Sequence, residues 1–151
     1  MITLVTGPVR SGKSTFAERL AHEAHLPVVY VATAQRDASD PEWHSRIEHH
    51  RARRPPTWSL IETGSTTPID LVEFLGTDRT GRILLVDSLG TWLADELFVN
   101  AGQVDVLEGR TRLLLDAIVA RRANVICVGE ETGWGIVPEH PSARLFRDVL
   151  G

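Results

Sequence analysis

Gly7-Pro8-Val9-Arg10-Ser11-Gly12-Lys13-Ser14 is the stretch that decides the fold. A glycine, four residues and then Gly-Lys-Ser is the spacing of a phosphate-binding P-loop. The flanks supply the context that the pattern requires. Ile2–Thr6, apolar and β-branched, reads as a strand before it, and Gly12–Ala24 reads as a helix after it. In such a loop, backbone N–H groups and the positive end of the following helix cradle phosphate oxygens. Lys13 would place a mobile ammonium on the β- and γ-phosphates, and the Ser14 hydroxyl would be a Mg²⁺ ligand. The basic residues single out the same position. Of sixteen, fifteen are arginine and Lys13 is the one lysine. A compact ammonium and a planar guanidinium are not interchangeable, so position 13 asks for the former.

Outward from the loop, Ile83-Leu84-Leu85-Val86-Asp87 is an apolar run ending in a carboxylate. This is the pattern of a strand that delivers an acid beside Mg²⁺. Many buried strands also end in an acid that caps a helix, and Ser88 can cap the next helix equally well. Asn124–Ser142 holds Gly129-Glu130-Glu131-Thr132-Gly133-Trp134-Gly135-Ile136-Val137-Pro138-Glu139. Its glycines and prolines imply a shaped loop at the carboxyl end of a strand, where open α/β sheets bind ligands. Glu130, Glu131 and Glu139 either position a substrate there or cap structure; the sequence leaves both readings open.

Pro41–Pro56 is the unusual segment, rich in arginine and histidine. Asp40 before Pro41 is a helix-start signal and Arg54-Pro55-Pro56 a stop. On a helix Trp43 and Ile47 form an inward stripe, while Arg46, His50 and Arg54, spaced by four, line up beside it. His49 points away. His50, flanked by guanidinium groups, is placed to face an anion, and nearby positive charge keeps a ring nitrogen unprotonated. The competing reading is a solvated basic face with two ordinary histidines.

Strand candidates are Ile2–Thr6, Val28–Thr33, Thr57–Glu62, Ile83–Asp87 and Asn124–Gly129. Helix candidates are Gly12–Ala24, Pro41–Arg53, Pro68–Leu75, Leu89–Val99, Val104–Arg122 and Ser142–Leu150. The alternation predicts an α/β fold: a mostly parallel sheet with helices on both faces. The 151 residues suit one domain, with 42% hydrophobic and 24% charged residues. A net charge of −4 argues against general nucleic-acid binding. The one cysteine, Cys127, excludes an internal disulfide and lies in an apolar run, where a buried thiol is expected. No apolar run is long enough for a membrane span, and the start has no basic leader, so a cytoplasmic location is expected.

Four segments together resemble one family. They are Gly7–Ser14, Tyr30-Val-Ala-Thr-Ala-Gln35, Arg46–Pro55 with Trp58, and Val128–Glu139 with Arg144–Asp148. The sequence is similar, from Met1 to Gly151, to the adenosylcobinamide kinase/adenosylcobinamide-phosphate guanylyltransferases of cobalamin biosynthesis. The resemblance implies a P-loop NTPase of RecA-like architecture and two reactions. A nucleoside triphosphate, GTP or ATP, phosphorylates adenosylcobinamide. GMP then passes from GTP to the product through a GMP-histidine intermediate. It implies His50 as nucleophile and Ser14 and Asp87 at Mg²⁺. The implied nucleotide contacts are Gly7, Pro8, Val9, Arg10, Ser11, Gly12, Lys13, Ser14, Ala32, Thr33, Ala34, Arg51, Ala52, Arg53, Arg54, Glu62 and Asp87. It implies a homotrimer as well. The family continues past the last helix with another helix and a strand, which this chain is expected to lack. Two alternatives stand beside it: a plain P-loop small-molecule kinase without nucleotidyl transfer, and a nucleotide-binding module without turnover.

Overall fold

The apolar runs become five strands: β1 (Ile2–Gly7), β2 (Val28–Ala32), β3 (Ser59–Glu62), β4 (Ile83–Asp87) and β5 (Val125–Glu130). Between and after them lie α1 (Lys13–Glu23), α2 (Leu71–Thr77), α3 (Leu89–Val99), α4 (Val104–Ala120) and α5 (Pro141–Leu150). The structure, a computed structural model, describes residues 1–33, 51–77, 81–120 and 124–151. The strands form one sheet in the order β1-β5-β4-β2-β3, and every pairing is parallel. The register aligns Gly7 with Glu130, Asp87 with Val128, and Ala32 with both Asp87 and Glu62. The residues expected at the site therefore end their strands together, at the carboxyl end of the sheet.

Strand alternation divides the core into two faces. Val5, Val28, Tyr30, Ile83, Leu85, Ile126 and Val128 pack with Ala17 and Ala21 of α1. Val29, Val31, Leu84, Val86, Val125 and Cys127 pack on the other face with residues of α2, α3, α4 and α5. Helices on both faces are as the alternation predicts. Each fully buried Val or Leu side chain contributes roughly 1.5–3 kcal/mol relative to exposure. Cys127 is buried, and burial pushes its thiol up to about 12, so it stays protonated.

Boundaries shift where a local hydrogen bond outweighs periodicity. β3 begins at Ser59 rather than Thr57, because the Trp58 amide donates to the Pro55 carbonyl at 3.0 Å and closes a turn there. α2 begins at Leu71 rather than Pro68, because the Asp70 carboxylate accepts the Glu73 amide at 2.9 Å as a cap. α5 starts one residue early, with Pro141 in the first turn, where its fixed φ suits a helix. Of the helix expected over Pro41–Arg53, residues 41–50 lie outside the described residues; Arg51 and Ala52 are helical and the Arg54 amide returns to the Arg51 carbonyl.

One cation ties three helices together. Arg110 of α4 donates to Glu96 of α3 at 2.6 Å and to Asp70 at the start of α2. Burial pushes the Asp70 carboxyl up, but the Glu73 amide and Arg110 outweigh it and hold the group below its ordinary range.

Candidate phosphate and metal site

The P-loop turns at the end of β1, and its backbone explains its glycines. Gly12 has φ +82°, a left-handed conformation that glycine adopts without strain, and it is the residue before the first turn of α1. Gly7 is closely approached: a Cβ there would lie 2.9 Å from Ser11 Oγ, so the serine side chain would have to shift. The Ser11 amide donates to the Pro8 carbonyl at 3.2 Å, and the Phe16 amide to Gly12 at 2.9 Å as the helix begins. Lys13 folds back along the loop, its Nζ 3.4 Å from the Pro8 carbonyl oxygen.

Asp87 meets the loop from β4. Ile83 and Leu85 face α1, so the alternation carries Asp87 to the same side, above Ser14. Ser14 Oγ donates to Asp87 Oδ1 at 3.3 Å, and the Tyr30 hydroxyl donates to Asp87 Oδ2 at 2.5 Å. The Tyr30 phenol is held neutral: burial raises its pKa, and the Asp87 charge raises it further. Over the Tyr30 ring lies the Arg54 guanidinium, 3.4 Å from the centroid. Arg53 reaches Glu18 of α1 at 3.6 Å. Burial raises the Glu18 pKa, with Asp87 adding to the rise and Arg53 and Arg54 opposing it.

The donor set fits Mg²⁺. Ser14 and Asp87 supply hard oxygens, and Mg²⁺ commonly takes only one or two protein ligands beside water and phosphate. No group of three or more His, Cys, Asp or Glu converges among the described residues, so a protein-saturated metal cage is absent from them.

The other expected residues separate into distinct groups. Arg51, Ala52, Arg53 and Arg54 are described, and the last two reach α1 and β2 as above. Ala32 and Glu62 stand side by side at the ends of β2 and β3. Thr33 turns away from the loop: its buried hydroxyl donates to the Ser88 carbonyl at 2.6 Å and lies 2.5 Å from Thr91 Oγ1. Ser88 caps α3, accepting the Thr91 amide at 3.3 Å. Ala34 and His50 lie outside the described residues. Two glutamates at the end of β5 have structural partners. Glu130 accepts the Gly90 amide at 2.9 Å at the start of α3, and Glu131 accepts the Trp134 indole. The Glu131 amide also donates to Gly7 at 3.2 Å, joining this loop to the P-loop. Arg147 donates to the carbonyls of Gly133, Gly135 and Ile136, and Arg144 to those of Pro138 and Glu139.

Two residues of the site were not singled out for a role from the sequence: Tyr30 and Glu18. The signal for Tyr30 was present, since it alternates with Val28 and Ala32 onto the face where Asp87 falls.

Residues 3–151 match a family model described as cobinamide kinase / cobinamide phosphate guanyltransferase. The chain is 41% identical over 152 residues to the bifunctional adenosylcobalamin biosynthesis protein CobP of Pseudomonas aeruginosa, covering 100% of this chain and 83% of that relative. It is 36% identical over 163 residues to the bifunctional adenosylcobalamin biosynthesis protein CobU of Escherichia coli, covering 100% of this chain and 86% of that relative. A similar protein, CobU of Salmonella typhimurium, is 34% identical over 162 residues.

Proposed function

Since this chain belongs to the cobinamide kinase / cobinamide phosphate guanyltransferase family, we propose that it carries out both reactions at the P-loop end of its sheet. The observation that carries this reading is the return of the basic segment to the metal end of the site. Arg54 lies on the ring of Tyr30, and Tyr30 holds Asp87 beside Ser14.

In the kinase step, a hydroxyl oxygen of the corrinoid attacks the γ-phosphorus of GTP or ATP. The bond from that phosphorus to the β-phosphate oxygen breaks, the nucleoside diphosphate leaves and the hydroxyl proton is released. The loop amides and Lys13 hold the phosphates for this transfer. In the guanylyl step, a ring nitrogen of His50 attacks the α-phosphorus of GTP and pyrophosphate leaves. The corrinoid phosphate then attacks the same phosphorus, the nitrogen–phosphorus bond breaks and His50 is regenerated. Arg51, Arg53 and Arg54 offer guanidinium donors to phosphate oxygens. Mg²⁺, held by Ser14 and Asp87 when bound, supplies charge neutralisation on the phosphates. The acting assembly is a homotrimer.

Incubation with α-labelled GTP and Mg²⁺ tests the covalent step. A histidine–phosphorus bond survives alkali and breaks in mild acid, so label is expected to follow that pattern on the protein, and γ-label is expected to leave. His50→Ala abolishes the adduct and guanylyl transfer while kinase turnover persists; His49→Ala keeps all three. Loss of the adduct in His49→Ala and not in His50→Ala moves the nucleophile by one position. An adduct in neither wild type nor variants leaves a plain small-molecule kinase.

A further inference from the structure

We propose that Tyr30 is a positioning residue for both transfers: its hydroxyl fixes the Asp87 carboxylate toward Ser14, and its ring seats Arg54 of the basic segment. The inference rests on the reading above, in which Ser14 and Asp87 hold the metal–nucleotide and the basic segment serves the guanylyl step.

The ring of Tyr30 is a core component, 3% exposed between β2's neighbours and α1. A phenylalanine would fill the same space, so packing alone does not call for the hydroxyl. A buried hydroxyl without a partner is costly, and this one has Asp87 Oδ2. The 2.5 Å separation is at the short end for an O–H···O hydrogen bond. A carboxylate held at one oxygen loses its freedom to rotate. Asp87 then presents Oδ1 to the side where Ser14 Oγ lies at 3.3 Å. Partners of this kind, which orient a ligand without touching the metal, commonly change metal affinity by about 10–100-fold when removed.

The opposite surface of the same side chain does separate work. Arg54 lies 3.4 Å from the ring centroid, and its Nε has no hydrogen-bond partner among the described residues. The guanidinium lies on the aromatic face, with its charge acting on Tyr30 and Glu18. Arg53, its neighbour, reaches α1 through Glu18. One side chain of β2 thus sets the orientation of the metal-binding acid and the seat of the residues that follow His50.

The two functions separate by substitution. Tyr30→Phe removes the hydroxyl and keeps the ring; Tyr30→Met removes both at similar volume. Mn²⁺ binding is read by electron paramagnetic resonance of the free ion, in the presence of a non-hydrolysable GTP analogue. Asp87→Asn serves as reference, and melting curves verify that each variant is folded. Tyr30→Phe is expected to weaken Mn²⁺ binding by about 10-fold, with guanylyl labelling reduced at low metal and recovering as metal is raised. Tyr30→Met is expected to show the same metal defect and, at saturating metal, slower labelling as well. Wild-type Mn²⁺ binding in Tyr30→Phe, with loss in Asp87→Asn, overturns the proposal and leaves the site reading intact. Unchanged binding in Asp87→Asn overturns both. Equal labelling by Tyr30→Phe and Tyr30→Met at saturating metal overturns the seating of Arg54.

Discussion

Lys13 is the residue on which both transfers converge in the function proposed above, and its surroundings make it a clean target. Its described hydrogen bond is a long one, 3.4 Å to the Pro8 carbonyl, so removing the side chain takes little from the fold. What it removes is the positive charge that the proposed function assigns to the phosphates. Lys13→Ala is expected to slow kinase and guanylyl turnover together, by about 10²–10³, with a melting temperature close to wild type. Full kinase turnover in this variant would refute a shared site. The P-loop and Asp87 were legible in the sequence because their chemistry is local: a spacing in one case, a strand that ends in an acid in the other. Tyr30 was not given its role, because its hydroxyl acquires meaning only when β2 and β4 align and place it over Asp87. The Thr33 hydroxyl bonds Ser88 and lies against Thr91, a placement that the strand pattern alone does not reveal.

At the scale of elements, the strands and helices were legible wherever apolar periodicity ran without competition, as in Ile83–Asp87 and Leu89–Val99. The first turn of α2 was not, because the Asp70 side chain sets it and not the pattern of apolar residues. That same carboxylate joins Arg110 and Glu96, so a helix cap and an interhelical tie depend on one group. Arg110→Gln is expected to lower unfolding free energy by about 1–3 kcal/mol, the scale of a hydrogen bond to a charged group, as read from urea denaturation midpoints. The pH dependence has a definite sign. Asp70 has a folded pKa below its unfolded value, so its contribution is complete above the ordinary carboxylate range. It is lost as pH falls through the lowered folded value. The gap between wild type and Arg110→Gln should therefore narrow in acid. A gap that widens there would show that Asp70 is not part of the tie.

For the whole molecule, the sheet order places β1, which launches the P-loop, at the edge of the described sheet. Ile2 and Leu4 of that strand are 50% and 62% exposed. Trp134 and Ile136, in the loop joined to Gly7 through Glu131, are 88% and 97% exposed. Apolar side chains presented beside an unpaired strand edge invite association, and soluble proteins cover or blunt such edges. Closed cyclic symmetry is the usual way for identical chains to cover such surface without growing into fibres. The homotrimer implied by the family resemblance is one such closed arrangement. It would also let the site of one subunit lie near a neighbour. The expectation is checked by multi-angle light scattering at micromolar concentration. The predicted outcome is three times the mass of one chain, with Leu4→Lys shifting the equilibrium toward smaller species. Because association stabilises the folded state by mass action, the melting temperature of wild type should rise with protein concentration and that of a dissociated variant should not. A monomer at micromolar concentration, with a melting temperature independent of concentration, would refute self-association through these surfaces.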